Sequence, residues 1–241
     1  MLPWLPPHQV GFPPVEQALR EPDGLLAAGG ELSPDWLRCA YRRGIFPWFA
    51  PGEPILWWSP DPRLVLFPDE VHVRRSLAKR LRNAGFTITF DHAFKAVITA
   101  CADTRDATEG TWITPAMHDA YCRLHIEGDA HSVEVWRDGD LVGGLYGIAL
   151  GGVFFGESMF SRVADASKVA LVHLARYLAA HGGQLIDCQV HTPHLASLGA
   201  RSIARSSFID YLDQYAGGHG SPMLWPSSPP DHFPVEEPKP T

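Results

Sequence analysis

The stretch "LIDCQVHTPHLASLGA", Leu185 to Ala200, sets a carboxylate and a carboxamide two residues apart in an apolar run. Leu185, Ile186, Cys188 and Val190 read as a strand, and strand side chains alternate faces, so Asp187 and Gln189 are expected on one face. A buried carboxylate is costly unless it is paired or hydrogen-bonded. An amide does not protonate usefully, so Gln189 can only give or accept hydrogen bonds. What an acid and an amide side by side in such a strand are for is the question the sequence raises. The plainest answer is an Asp187 that caps a neighbouring loop.

Other patterns fail as chemistry. "GESMF" at 156–160 is close to a nucleophile elbow, but Phe160 stands where the motif needs glycine, which removes Ser158 as a nucleophile. His191 and His194 lie three apart in "HTPH" without an HExxH context or a cysteine partner. With twelve histidines in the chain, such a pair is expected by chance and gives no metal site. Gly143, Gly144 and Gly147 fall inside a strand pattern and point to close backbone approach or a bulge. They form no loop opening a helix, as a pyrophosphate-binding acyl-CoA enzyme would need.

The tryptophans and a cluster of cations suggest binding. Trp48 in "FPWF" and Trp112 in "GTWIT" sit on irregular chain beside turn residues. Indoles held on loops are stacking platforms, worth ~1–3 kcal/mol for a stacked base. Trp57 and Trp58 read equally well as filler of a small core. Arg74, Arg75, Lys79, Arg80 and Arg82 place five cations in nine positions. Such a run is ordinarily a solvated helix face. On a chain of net charge −7 it stands out as a possible phosphate track. The same net charge speaks against a broadly basic nucleic-acid binder, so any such contact must be local.

The elements that would position these groups are readable in outline. The 241 residues suit one or two domains with a sizeable core. Residues 1–62 are rich in Pro, Gly and Trp and contain one helix, "SPDWLRCAYRRG", capped at Ser33 and stopped at Gly44. A boundary is expected near Asp61. From Arg63 to Thr241 the pattern is α+β, with strands at "RLVLF" and "FTITF" and a basic helix over 71–84. Two further helices carry "HAFKAVITACAD", with Phe94, Val97, Ile98 and Cys101 on one stripe, and "TPAMHDAYCRLHIEG". Three strands follow, joined by hairpins at Asp138-Gly139 and Gly151-Gly152. Helix "DASKVALVHLARYLAAHGG" then leads to strand 185–190, and a helix between two strands suggests a parallel crossover. This order is that of an N-acetyltransferase-like core behind a small N-terminal domain, although fold alone does not give function. A Pro-rich tail is expected from about residue 221. The N-terminus has no basic head and is broken by prolines, and the longest uncharged run, 141–156, is shorter than the ~20 residues of a membrane helix. The four cysteines form no CxxC pair. The expectation is a soluble, cytoplasmic protein with no membrane association.

Taken in order, "GIFPWF", "WWSPDPR", "EGTWIT", "HSVEVW", "LVGGLYG", "GESMFSR", "ASK" and "LIDCQ" resemble the leucyl/phenylalanyl-tRNA–protein transferases of bacteria over roughly residues 10 to 215. The resemblance implies transfer of Leu or Phe, and less readily Met, from aminoacyl-tRNA to an N-terminal Arg or Lys of a protein. That transfer marks the acceptor for N-degron degradation, with no metal or cofactor. It implies that Trp48 and Trp112 hold the terminal adenosine. Leu145, Phe154, Met159, Leu174 and Ile186 correspond to the pocket for the amino-acid side chain. Glu157 lies near the bound aminoacyl-adenosine, and Asp187 and Gln189 are the acid and amide of the motif. Some members have Met at 145 and Phe at 174, so the pocket wall differs here. A monomer is expected.

For such a reaction the ester is already activated. The attacking α-amine has a pKa of ~7.7–8.0, so roughly a tenth is neutral at pH 7 and a strong base is not essential. Position and oxyanion stabilisation are what matter. The Gln189 carbonyl would accept from the amine, Asp187 would accept from the Gln189 NH₂, and the proton would pass to ribose oxygens. Two other classes stay open on the residues alone: a non-catalytic RNA-binding module and an acyl-CoA-dependent N-acetyltransferase.

Overall fold

A computed structural model describes residues 1–106, 111–217 and 225, with no side-chain description at 105 and 106. A first sheet is built from short strands: β1 (Trp4–Leu5), β2 (Leu25–Gly29), β3 (Phe46–Pro47) and β4 (Leu56–Trp58), in the order β1-β2-β4-β3. Helix α1 (Pro34–Arg42) lies between β2 and β3. Its stripe of Trp36, Leu37, Ala40 and Tyr41 is buried, as helical spacing requires. Ser33 holds the N-cap position, but its side chain makes no cap hydrogen bond, so proline at the first turn sets the start instead. Trp57 is fully buried, stacks on Trp36 and donates its Nε1–H to the Gly29 carbonyl at 2.8 Å. It is core, whereas Trp58 is partly open.

The main sheet has seven strands: β5 (Arg63–Leu66), β6 (Thr87–Phe90), β7 (Ala130–Arg137), β8 (Asp140–Leu150), β9 (Val153–Ser161), β10 (Leu185–Gln189) and β11 (Arg201–Ile203). Their order is β11-β5-β10-β9-β8-β7-β6, antiparallel throughout except for β9 and β10. Helix α2 (Arg75–Asn83) precedes β6. Helices α3 (Phe94–Asp106) and α4 (Pro115–Ile126) precede β7, and α5 (Ala166–Ala180) joins β9 to β10. The one-turn α6 (Pro193–Ala196) precedes β11, and α7 (Arg205–Tyr215) follows it. Two hairpins, the parallel crossover and the helices before the meander give the α+β, N-acetyltransferase-like order expected from the pattern. The tail expected from residue 221 lies outside the described residues apart from Trp225.

The alternation of β5, β8, β9 and β10 divides the core into two faces. Val65, Tyr146, Phe155 and Leu185 pack with α3, α4 and the first sheet. Leu64, Leu145, Phe154 and Ile186 pack with α5 and α2. Glycines permit the closest approaches. A Cβ at Gly143 would lie 2.4 Å from Ala166 Cβ, and one at Gly147 would lie 2.1 Å from the Phe155 carbonyl oxygen. Gly147 sits at a register shift between β8 and β9, so both readings of the glycine run hold, at different positions.

The basic helix is shorter than expected. Residues 71–74 are extended, and the His72 N–H donates to the Leu198 carbonyl beside α6 at 2.9 Å. Val71 and Val73 are partly buried against the α5 face, which favours an extended chain of β-branched residues over a first helical turn.

Candidate active site

Strands β9 and β10 pair only over Val153 to Phe155 and Leu185 to Asp187, yet β9 continues to Ser161. Beyond the paired stretch a cavity of about 1320 Å³ is lined by residues 156–161 and 187–190. One end is apolar. Leu145, Phe154, Leu174 and Ile186 are essentially buried there, and Met159 is partly exposed. Leu171 completes this wall and was not foreseen. Trp48 is 48% exposed at the rim, and Trp112 lines the cavity from the segment before α4. Trp58 supports Trp48, with ring centroids 5.7 Å apart and its Nε1–H donating to the Trp48 carbonyl at 2.6 Å.

The other end is polar, and two irregularities build it. In the β8–β9 ladder Tyr146 pairs with Ser158 and Gly147 with Gly156, so Glu157 is the extra residue of a bulge. In the β5–β10 ladder Asp187 pairs with Val65 and Gln189 with Leu64, so Cys188 is extra, and Gln189 has φ of 62°. Bulges re-aim side chains and are common beside active sites. Here they aim Gln189 and Glu157 at each other. The Gln189 Nε2 donates to Glu157 Oε1 at 2.8 Å.

This corrects the expected role of Asp187. Its carboxylate does not hold the Gln189 carboxamide. It accepts the Gln189 backbone N–H at Oδ1, 2.9 Å away. Both of its oxygens are also taken by Arg63, with Nε to Oδ1 at 2.8 Å and Nη2 to Oδ2 at 2.7 Å. The pair is buried, with side-chain exposures of 1% and 0%. The guanidinium also donates to the Gly44 carbonyl and lies between the rings of Phe46 and Phe208, its Cζ 4.8 and 4.7 Å from their centroids. The strand alternation failed because the bulge breaks it between 187 and 189.

Among the described residues no ion pair includes Glu157, and no cation is among the main influences on its carboxyl. The Tyr41 hydroxyl lies 2.7 Å from Oε1, the Tyr121 hydroxyl 2.8 Å from Oε2, and the two hydroxyl oxygens 2.5 Å apart. Burial, partly offset by the tyrosine hydrogen bonds, pushes the Glu157 carboxyl up to about 7. Burial, with Glu157 beside them, also holds both phenols well above their ordinary range. Tyr41, Tyr121 and Arg63 escaped the sequence reading. The tyrosines sit in apolar helical stripes, where their rings explain their burial. The signal for Arg63 was the unpaired acid itself, which required a partner that spacing alone could not name.

The five cations lie on and before α2. Arg74 precedes the helix at its N-cap, and Arg75, Lys79 and Arg82 are exposed, while Arg80 is half-buried. The Arg80 Nε lies 3.9 Å from Asp165 Oδ2, and Asp165 lines the cavity, which ties the helix to the cavity's edge.

The chain is similar to known proteins. A family model described as leucyl/phenylalanyl-tRNA protein transferase matches residues 65–213, and a model of that family's N-terminal domain matches 30–61. A leucyl/phenylalanyl-tRNA–protein transferase of Chromohalobacter salexigens is 86% identical over 229 residues, covering 95% of this chain and 90% of that protein. One of Pseudomonas aeruginosa is 61% identical over 215 residues, covering 89% of this chain and 95% of that protein. Among solved structures, a GCN5-related N-acetyltransferase from Kribbella flavida aligns with a TM-score of 0.38 at 16% identity, covering 71% of this chain and 61% of that one.

Proposed function

The chain belongs to the leucyl/phenylalanyl-tRNA–protein transferase family, and on that premise we propose how its cavity carries out aminoacyl transfer from tRNA to protein N-termini. The reaction is aminolysis of the ester that joins an amino acid to the terminal ribose of tRNA. The side chain of Leu or Phe enters the apolar end, among Leu145, Phe154, Met159, Leu174 and Ile186. The terminal adenosine stacks at the rim on Trp48 and Trp112. The ester then lies toward the polar end, where Gln189 and Glu157 meet. That meeting of an apolar side-chain pocket with a fixed carboxamide is the observation that carries the reading.

With Gln189 Nε2 committed to Glu157, its Oε1 is the acceptor left for the incoming α-amine. A hydrogen bond from the amine to that oxygen aims the lone pair at the ester carbonyl, an effect of position rather than of base strength. Asp187 serves at one remove. It fixes the backbone of Gln189 in its left-handed conformation while Arg63 takes both of its oxygens, so neither oxygen is left to bind the developing ammonium directly. The exposed cations of α2 are suited to the tRNA backbone. We further take the acceptor to begin with Arg or Lys, the protein to act as a monomer, and the setting to be the cytoplasm. Among the described residues no helix is long and apolar enough to cross a membrane.

The test is incubation with labelled Leu-tRNA and a peptide beginning with Arg. Leu-Arg peptide is the expected product. Acetylation of the peptide from acetyl-CoA, or tight tRNA binding without transfer, would overturn the reading.

A further inference from the structure

Tyr41, Tyr121 and Glu157 form a closed triangle of oxygen contacts, at 2.5, 2.7 and 2.8 Å. Each contact of that length needs a hydrogen between its oxygens. Each tyrosine owns one hydroxyl hydrogen, which makes two. If Glu157 were ionised, both hydrogens would turn to the carboxylate, and two hydroxyl oxygens would face each other at 2.5 Å with nothing between them. The third hydrogen must come from Glu157.

We infer that Glu157 is a neutral carboxylic acid in the resting protein, that it closes a three-membered hydrogen-bond ring with Tyr41 and Tyr121, and that this ring positions the Gln189 carboxamide. The direction of the ring follows from Gln189. Oε1 accepts from both Gln189 Nε2 and Tyr41, which makes it the carbonyl oxygen; the inferred proton is then on Oε2, and across the 2.8 Å contact Glu157 donates to Tyr121 in place of accepting from it. Tyr121 then donates to Tyr41. Every donor and acceptor of the triangle is satisfied, as a buried polar network requires. The inference about the ring is geometric; its consequence for transfer rests on the function proposed above.

The surroundings agree. Tyr41 comes from α1, Tyr121 from α4 and Tyr146 from β8, while Asp187 and Gln189 come from β10. Of these Asp187 alone is charged, and its negative charge opposes ionisation of Glu157 even though Arg63 of β5 covers it. No described cation is paired with Glu157. The upward shift to about 7 has the same sense. The chemical gain is that a neutral Glu157 does not compete for the incoming amine. An ionised one would hold the ammonium form, which cannot attack. Tyr41 and Tyr121 are thus positioning residues, and they tie α1 of the N-terminal region to the reacting end of the cavity.

Two measurements test this. Infrared difference spectra of the wild type against Glu157→Gln at pH 6 should show a protonated carboxyl band that the variant lacks, and Tyr121→Phe should shift that band. The second is the pH profile of single-turnover transfer. The wild-type rate should lose its rise, or fall, above pH about 7 as the ring opens. Glu157→Gln, neutral and able to both donate and accept, should lose this alkaline limb. At pH 6.5 it should stay within about tenfold of wild type, the worth of one hydrogen bond, while Glu157→Ala loses far more. Tyr41→Phe and Tyr121→Phe should each slow transfer by about tenfold without weakening aminoacyl-tRNA binding. Absence of the carboxyl band would overturn the neutral acid whatever the activity. A Glu157→Gln protein as inactive as Glu157→Ala, while folded, would show that the charge is needed and would overturn the ring's role.

Discussion

Asp187 and Glu157 are both buried carboxyl groups on strands of the main sheet, and both hold Gln189, one by its backbone and one by its side chain. Their environments are opposite. Asp187 forms a bidentate ion pair with a guanidinium. Glu157 meets two phenols and an amide, and its proton is favoured. The difference shows how one residue can be fixed in two ways. A charged pair locks the backbone, because breaking it would strand a buried charge, while a neutral ring sets the side chain and stays responsive to pH.

The largest effect should come from the charged side. Removing one partner of a buried ion pair typically costs 3–5 kcal/mol, since it leaves the other uncompensated. Asp187→Asn should therefore lower the stability of the fold by roughly that amount, measured by urea unfolding at pH 7, and Arg63→Met should do the same. If Asp187→Asn were as stable as wild type but slow in transfer, Asp187 would act on the reaction directly and the contrast between the two acids would collapse.

Glu157 should respond with the opposite sign. Its proton binds more tightly in the fold than in the unfolded chain, so the contribution of this group to stability is greatest at low pH. Stability then falls as pH rises from the ordinary carboxylate value of 4.5 to about 7. Above that the penalty is complete, on the order of 3 kcal/mol for a shift of this size. Glu157→Gln lacks the ionisation, so it should be more stable than wild type at pH 8, with the difference vanishing toward pH 4.5. Thermal unfolding across that range measures it. A constant difference at all pH values would mean that Glu157 is charged in the fold.

Gln189→Ala sharpens the comparison by removing what both acids hold. It should slow single-turnover transfer to an Arg-led peptide on the order of a hundredfold, ~2.7 kcal/mol, between a weak hydrogen bond and an oxyanion-type contact. Aminoacyl-tRNA binding should be nearly intact, since the lost interaction forms with the attacking amine. A near-wild-type rate in the folded variant would make the whole polar end structural.

What could be read beforehand divides along the same line. The hairpins at Asp138-Gly139 and Gly151-Gly152 and the apolar stripe of α3 follow from local periodicity and turn chemistry, which the chain states outright. The first sheet did not, because three of its four strands have only two or three residues, one of them with a proline, and β2, LLAAG, is apolar without alternation, so none carries a period to detect. At the site, a bulge shifts the phase of alternation, and nothing in "LIDCQ" or "GESMF" announces one. Nothing in the sequence sets the Tyr41 and Tyr121 hydroxyls 2.5 Å apart, because the two residues lie 80 positions apart on different helices.

The smallest effects should come from α2, where no charge is buried. Leu77 and Leu81 turn toward the α5 face, which leaves Arg75, Lys79 and Arg82 at positions i, i+4 and i+7 on one exposed stripe. Cations so placed contribute little to the fold, under about 1 kcal/mol each. They act on a polyanion through release of its counterions, so each phosphate contact adds about 0.7–0.9 to the slope of log affinity against log salt. Arg75→Ala with Lys79→Ala should leave stability unchanged and lower that slope for full tRNA by between one and two. Arg80 is best left in place, because its contact with Asp165 ties the helix to the cavity. A short aminoacyl-adenosine mimic carries no phosphate backbone, so the double variant should handle it as the wild type does. Equal losses for mimic and tRNA would mean that the substitutions disturb the cavity itself, and the stripe would then be a solvated face with no partner.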